Sequence, residues 1–134
     1  MTIEHINPPS MHSNPAFSQA IAVSAPAKTV YIGAQLAQDA SGNLVGAGDV
    51  AAQTAQALRN FDACLEAAGA TLEDVISLKI YVTQGQDMMA AARVGLQWWG
   101  QRPNAPTNSV MFIAGLFPPD FLVAIEGIAV VPEG

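Results

Sequence analysis

The sequence has one cysteine, Cys64, and two histidines, His5 and His12, among its 134 residues. A single cysteine excludes an internal disulfide and a cysteine-rich metal site, and it suits the reducing cytoplasm, where we expect the protein. The histidines lie seven positions apart, a spacing that matches no zinc motif. We therefore expect no metal, and we interpret both histidines as solvated residues of an N-terminal coil.

Charge is also scarce. Charged residues make up 12% of the chain, against about a quarter in a typical soluble domain. This shortage indicates that part of the surface is covered in the native state, so we expect a homo-oligomer. The five basic residues are scattered and the net charge is −6, so there is no basic stripe to neutralise phosphates. Nucleic-acid binding is disfavoured on these grounds.

Several sequence signals are missing altogether. No apolar run approaches the ~20 residues that a helix needs to span a bilayer. The start of the chain shows no basic segment followed by an apolar one, so the sequence predicts neither a membrane segment nor a signal peptide. No glycine-rich nucleotide motif occurs, and no histidine falls within a predicted helix to activate a serine. The site we expect is metal-free and built from carboxylate, amide, hydroxyl and backbone groups.

Hydrophobic periodicity predicts a single domain over residues 1–134, with elements in the order β-β-β-α-β-α-β-β. This order favours the α+β class, with one sheet and two helices packed on one of its faces. The predicted elements are strands at 3–6, 20–23, 28–35, 75–83, 107–114 and 121–131, and helices at 49–68 and 86–100.

Glu126 is the only charge in the apolar strand FLVAIEGIAVV. Residues two apart on a strand share a face, so Glu126 lies in line with Ala124 and Ile128. Dehydrating an unpartnered carboxylate costs several kcal/mol. Glu126 is therefore paired, protonated with a raised pKa, or open to a polar pocket. Both a structural and a functional carboxylate fit this pattern.

Several stretches are similar to those of one known family. They are Asn14–Ala20 (NPAFSQA), Ala67–Val75 (AAGATLEDV), Pro106–Ser109 (PTNS) and the Ile125-Glu126 pair. Through nearly its whole length the chain resembles the RidA/YjgF family, also called the L-PSP or enamine/imine deaminase family. The resemblance implies a chorismate-mutase-like fold, a homotrimer with ligand clefts between subunits, and hydrolysis of imines or enamines without a cofactor.

The resemblance also implies site residues. In the family, an arginine grips the substrate carboxylate, while a buried glutamate and backbone groups place the attacking water. Glu126 matches the glutamate and is our candidate catalytic residue. The arginine position holds Asn108, and we find no basic residue nearby that replaces it. Because losing a charge-assisted contact forfeits ~1.5–3 kcal/mol, we expect a less charged substrate than an imino acid.

Other family positions have lost polar groups as well. Phe17 stands where an aromatic hydroxyl is expected, Gly33 where a small hydroxyl residue is expected, and Val110 where a cysteine is common. Trp98 and Trp99 are adjacent, so one of them is expected to line a pocket or an oligomer contact. The expected ligand-binding residues are Phe17, Gly33, Gln35, Asn108, Ser109 and Val110.

Three functions remain open at this stage. The first, which we favour, is a cofactor-free hydrolase in which Glu126 acts on a neutral imine, enamine or related carbonyl compound. The second is a non-catalytic trimer that binds a small metabolite or protects a partner protein. The third, a ribonuclease, is the least favoured because the chain is acidic and lacks a histidine pair.

Overall fold

The structure is a computed structural model that describes residues 2–12, 14–24 and 27–132. Its strands and helices follow the predicted order, and no helix in these ranges is long and apolar enough to cross a membrane. The elements are β1 (Ile3–Ile6), β2 (Ala20–Val23), β3 (Ala27–Gln35), α1 (Val50–Ala67), β4 (Val75–Thr83), α2 (Met88–Trp99), β5 (Thr107–Ile113) and β6 (Val123–Pro132).

Four strands form the main sheet, in the order β3-β6-β4-β5. Strand β6 is antiparallel to both β3 and β4, whereas β4 and β5 run parallel and are joined through α2. The sequence predicts one sheet, but β1 and β2 pair with each other in a separate two-stranded sheet. The predicted α+β fold with two helices is thus confirmed, with a small N-terminal hairpin beside it.

Helix α1 begins and ends where its sequence signals predict. The Asp49 carboxylate accepts a hydrogen bond from the backbone N–H of Ala52 at 3.0 Å, which satisfies one of the free donors of the first turn. Gly69, two residues after the last helical position, has a φ of +75°, a conformation that glycine adopts at little cost. Asp87 caps α2 in the same way, through the N–H of Ala90.

The core lies between α1 and the sheet, where Phe61 is completely buried against β6. This packing depends on Gly127, a residue that the sequence analysis does not single out. A Cβ added at Gly127 would lie 2.6 Å from the carbonyl oxygen of Ser77 and 2.8 Å from Cζ of Phe61. A residue with a side chain at position 127 would therefore push the helix and the strand apart.

Strand β4 departs in one place from its predicted alternation. The sequence predicts that Ile76, Leu78, Ile80 and Val82 share the core face. The pairing of β4 with β6 is irregular between Val75 and Ser77, which shifts the phase of the strand. Val75 is therefore fully buried in the core, whereas Ile76 is only partly buried.

Gln53 is a buried polar residue that ties α1 to the start of β6. Its amide nitrogen donates to the carbonyl oxygens of Gly46 and Asp120, each at 3.2 Å. Its amide oxygen accepts from the N–H of Leu122 at 2.8 Å. Both ends of this fully buried amide are thus satisfied, which is the condition for burying it without a large cost.

His5 is partly buried on the predicted strand β1, so its interpretation as a solvated coil residue is wrong. Its Nδ1 is 2.9 Å from the Ser18 hydroxyl oxygen and 3.2 Å from the carbonyl oxygen of Ala105. The Ser18 hydroxyl also donates to Ala105. These contacts attach the N-terminal hairpin to the segment that precedes β5.

Candidate functional site

The two faces of the main sheet divide the expected site residues between them. Asn108 is the register partner of Leu78, whose side chain is in the core, so Asn108 lies on the face covered by the helices. Glu126 is the partner of Lys79, one residue further along β4, and therefore lies on the opposite face, which we call the open face. A single chain does not bring Asn108 and Glu126 together.

The helix-covered face contains a cavity of about 410 Å³, which we call the large cavity. It lies between α2 and strands β4 and β5, because α2 packs mainly against α1 rather than on the sheet. Of the expected ligand-binding residues, Phe17, Asn108 and Val110 line it. Asn108 and Val110 are exposed on the edge strand β5, which puts them at the opening of the cavity.

Both tryptophans line the large cavity, whereas the sequence analysis expects only one at a pocket or contact. The Trp98 indole N–H donates to the Asp62 carboxylate at 2.9 Å, and its ring meets Phe61 edge-on with centroids 5.8 Å apart. The Trp99 N–H donates to the carbonyl oxygen of Arg102 at 3.1 Å. Burial raises the pKa of Asp62, and the bond from Trp98 opposes that rise.

Glu126 is partly buried on the open face, and it has a hydroxyl partner there. The Tyr81 phenol donates a hydrogen bond to Oε1 of Glu126. This bond and the adjacent negative charge raise the pKa of Tyr81, so the phenol stays protonated as a donor. Of the three states that the sequence leaves open for Glu126, two occur together: the carboxylate is paired with a hydroxyl and opens onto a cavity with polar walls.

A smaller cavity of about 210 Å³ lies beside Glu126 on the open face. Gly33, Ser77 and Lys79 contribute to its walls. Lys79 is exposed directly opposite Glu126 on the adjacent strand, on the face of the sheet away from Asn108, so it adds a cation beside Glu126 and does not replace the arginine missing at position 108. The signal that could have found it is the alternation of β4, which puts Lys79 and Tyr81 in one outward row.

The two remaining expected residues, Gln35 and Ser109, line neither of these cavities. Ser109 is the register partner of Lys79 and is exposed on β5. Gln35 pairs with Ile125, and its amide donates to the carbonyl oxygen of Gly33 at 3.0 Å. Within the described ranges, no three His, Cys, Asp or Glu side chains lie close enough together to hold a metal ion.

Comparison with known proteins gives consistent matches. The family model described as "Endoribonuclease L-PSP" matches residues 9–131. A RutC family protein of Pyrococcus horikoshii is 33% identical over 75% of this chain and 77% of its own length. A 2-iminobutanoate/2-iminopropanoate deaminase of Dermatophagoides farinae is 31% identical over 86% of this chain and 85% of its own.

One solved structure is similar over almost the full length of both chains. It is a Rid family protein of unknown function from Yersinia pestis, with a TM-score of 0.83 and 35% identity over 98% of this chain and 100% of that one. Sequence and fold thus agree over the helices and the main sheet. The chain belongs to the RidA/YjgF family, which the matching family model describes as endoribonuclease L-PSP.

Proposed function

We propose that the protein hydrolyses an imine or enamine, without a cofactor, at a site that two copies of the chain complete together. The observation that carries the proposal is the Glu126 carboxylate, which lies beside a cavity and is hydrogen-bonded by Tyr81. A relative named as a 2-iminobutanoate/2-iminopropanoate deaminase supports the reaction class.

The need for two copies follows from the division of the site. Asn108 faces the large cavity and Glu126 faces the smaller one, with the sheet between them. They converge only if the β5 edge of one copy meets the open face of another. Large apolar side chains are exposed along these surfaces, including Tyr31 at 78% and Phe112 at 52%. Burying such a surface favours association, and a homotrimer with clefts between its subunits meets this requirement.

The chemistry requires only proton transfers. Water adds to the carbon of the protonated C=N bond, Glu126 takes a proton from that water, and a neutral carbinolamine forms. The same carboxyl group then returns the proton to nitrogen. As the C–N bond breaks, the carbinolamine hydroxyl gives its proton to the carboxylate, and ammonia and a carbonyl compound leave. The proton now on Glu126 protonates the next imine. The Tyr81 hydroxyl orients Glu126 by holding Oε1, so that Oε2 is free to accept the proton. One water is consumed and one ammonia is released, with no change in oxidation state.

The test is ammonia release from freshly generated 2-iminopropanoate and from a neutral imine of a ketone, compared between the wild type and Glu126→Gln. Removing a general base typically costs 10²- to 10⁴-fold, and we expect a loss in kcat of this size with the oligomer intact. Glu66→Gln is the matched control, because it makes the same change at an exposed position of α1 that lines neither cavity. Equal rates for the Glu126→Gln variant and the wild type would rule out this role for the carboxylate.

A second candidate function is binding without catalysis. Phe17 and Val110 present no hydroxyl or thiol to the large cavity, and this loss of reactive groups favours a metabolite-binding protein. In that case the protein binds its ligand with the same affinity whether residue 126 is Glu or Gln, and it releases no ammonia from either imine. A single set of titrations and assays on the two proteins separates the two functions.

A further inference from the structure

We propose that the large cavity binds a neutral ligand through an aromatic or branched apolar group, with Asn108 pairing a carbonyl or amide of that ligand at the opening. This inference rests on the proposed function and deepens it, because it names the class of substrate. In this proposal the large cavity, between α2 and the sheet, determines which substrates bind.

The cavity is too large to be a packing defect. Protein interiors are close-packed, and voids larger than a water molecule are few. An engineered apolar void of about 150 Å³ already binds a benzene molecule. At about 410 Å³ the large cavity falls in the range typical of small-molecule pockets, roughly 300–1,000 Å³.

The space results from small residues on α2. Ala91, Ala92 and Gly95 line the cavity where larger side chains would reach the sheet. A Cβ added at Gly95 would meet no atom within 4 Å, so nothing in the chain fills the space in front of it. The helix is positioned instead by its packing on α1 and by the hydrogen bond from Trp98 to Asp62. These contacts hold α2 in place, so the cavity does not need a bound ligand to stay open.

The walls select against charge. In the described part of the chain no charged side chain lines the cavity, and a carboxylate that entered it would be dehydrated without a partner. Two of its three polar side chains already have bonds, since the Thr54 hydroxyl donates to the Val50 carbonyl oxygen and Asn14 Oδ1 accepts from the Ala16 N–H. The Asn108 amide, at the exposed opening, is left to donate to and accept from a neutral polar group.

Both tryptophans of the sequence line the cavity, so their fluorescence reports its occupancy without a label. The probes are benzamide and benzoate, which have the same ring but differ in charge. We expect a saturable change in tryptophan emission of the assembled protein with benzamide, at a concentration roughly tenfold or more below that needed with benzoate. Asn108→Arg, which introduces a cation at the opening, is expected to reverse this preference.

Filling the cavity supplies the second arm of the test. Gly95→Leu is expected to abolish the benzamide response while its melting temperature stays at or above that of the wild type, because glycine is a poor helix former. Gly95→Ala is expected to weaken the response less. Gln97→Leu is the control, since it adds an apolar side chain to an exposed position on the same helix that does not line the cavity.

Three outcomes would overturn the inference. They are equal affinity for benzoate and benzamide, an unchanged response in Gly95→Leu, and no saturable response in the wild type. The benzamide test and the catalytic test can fail independently of each other, because benzamide carries no imine and is not hydrolysed in the proposed reaction. Benzamide binding without ammonia release would refute the catalytic function alone, and ammonia release without benzamide binding would refute the pocket alone.

Discussion

Lys79 and Glu126 are register partners on adjacent antiparallel strands, on the face of the sheet away from the helices. Tyr81 lies two residues after Lys79 on the same face, and its hydroxyl donates a hydrogen bond to the Glu126 carboxylate. A cation, a phenol and a carboxylate thus share one row of the sheet. Asn108 lies on the other face, at the opening of an uncharged cavity. The proposed chemistry and the proposed specificity are therefore separated within each chain and joined only between chains.

Replacing Glu126 should make Tyr81 easier to ionise. The hydrogen bond to Glu126, together with its charge, raises the pKa of the phenol. In Glu126→Gln we expect the pKa of Tyr81 to fall towards its ordinary value. Ultraviolet titration of the phenolate band measures this in a Tyr31→Phe background, which leaves Tyr81 as the only tyrosine. An identical titration curve with Glu or Gln at position 126 would show that the two groups do not interact in solution.

Replacing Tyr81 should slow catalysis through the orientation of Glu126. In Tyr81→Phe we expect kcat to fall about 10- to 100-fold, a typical cost of misplacing a catalytic group by about an ångström. The double variant with Glu126→Gln should be no slower than Glu126→Gln alone, because the phenol acts through the carboxylate. If the two losses multiply instead, Tyr81 contributes independently of Glu126.

Gly127→Ala should destabilise the fold. The added Cβ would meet backbone and the Phe61 ring at distances that require the sheet or the helix to move. We expect a cost of about 1–3 kcal/mol, the usual range for overpacking a core. Denaturant unfolding measures it. Gly33→Ala is the matched control on the same sheet, because its Cβ meets no atom within 4 Å. Equal losses in the two variants would contradict the close packing at Gly127.

Gln53→Leu should also destabilise the fold, by removing hydrogen bonds rather than by crowding. The substitution leaves the N–H of Leu122 and the carbonyl oxygens of Gly46 and Asp120 without the partner that now satisfies them. Since each buried unsatisfied group costs about 1–3 kcal/mol, we expect a total loss of about 2–4 kcal/mol after relaxation. Gln97→Leu, at an exposed site, should change the free energy of unfolding little. A loss no larger than in that control would argue that water replaces the amide.

Asp62→Asn should change how stability depends on pH. Burial raises the pKa of Asp62 in the folded state, so the native protein binds this proton more tightly than the unfolded chain does. The stability that Asp62 contributes is therefore greatest at acidic pH and falls as pH rises through the folded-state pKa. Asparagine retains an oxygen acceptor for Trp98 without titrating. We expect the variant to gain stability relative to the wild type as pH rises from the acid range to neutrality, measured by thermal unfolding. A constant difference across that range would contradict this.

The order and type of the elements could be predicted because they depend on local signals. The alternation of β4, the stripe of α1 and its caps at Asp49 and Gly69 are each contained in a short stretch of sequence. The phase shift at Ile76 and the close approach at Gly127 depend on contacts with β6 and Phe61, which lie far away in sequence. No local pattern carries that information.

The candidate site was predictable only in part for the same reason. Resemblance identifies Glu126 and Asn108 as residues of interest, but their faces are set by the register of β4 against both β5 and β6. The register that pairs Asn108 with Leu78 and Glu126 with Lys79 turns the two side chains to opposite sides. Alternation alone puts Lys79 and Tyr81 in one outward row, but the register of β6 against β4 is what brings Glu126 beside that row.

The most direct test of the shared site is complementation between Glu126→Gln and Gly95→Leu, each of which we expect to release little ammonia by itself. Glu126→Gln removes the carboxylate from one set of chains, and Gly95→Leu fills the cavity of the other. When the two are unfolded together and reassembled, random assortment should join an intact Glu126 to an intact cavity at roughly a quarter of the interfaces. We predict ammonia release at about that fraction of the wild-type rate. Release no faster than that of either variant alone would show that one chain carries the whole site, and would contradict the account.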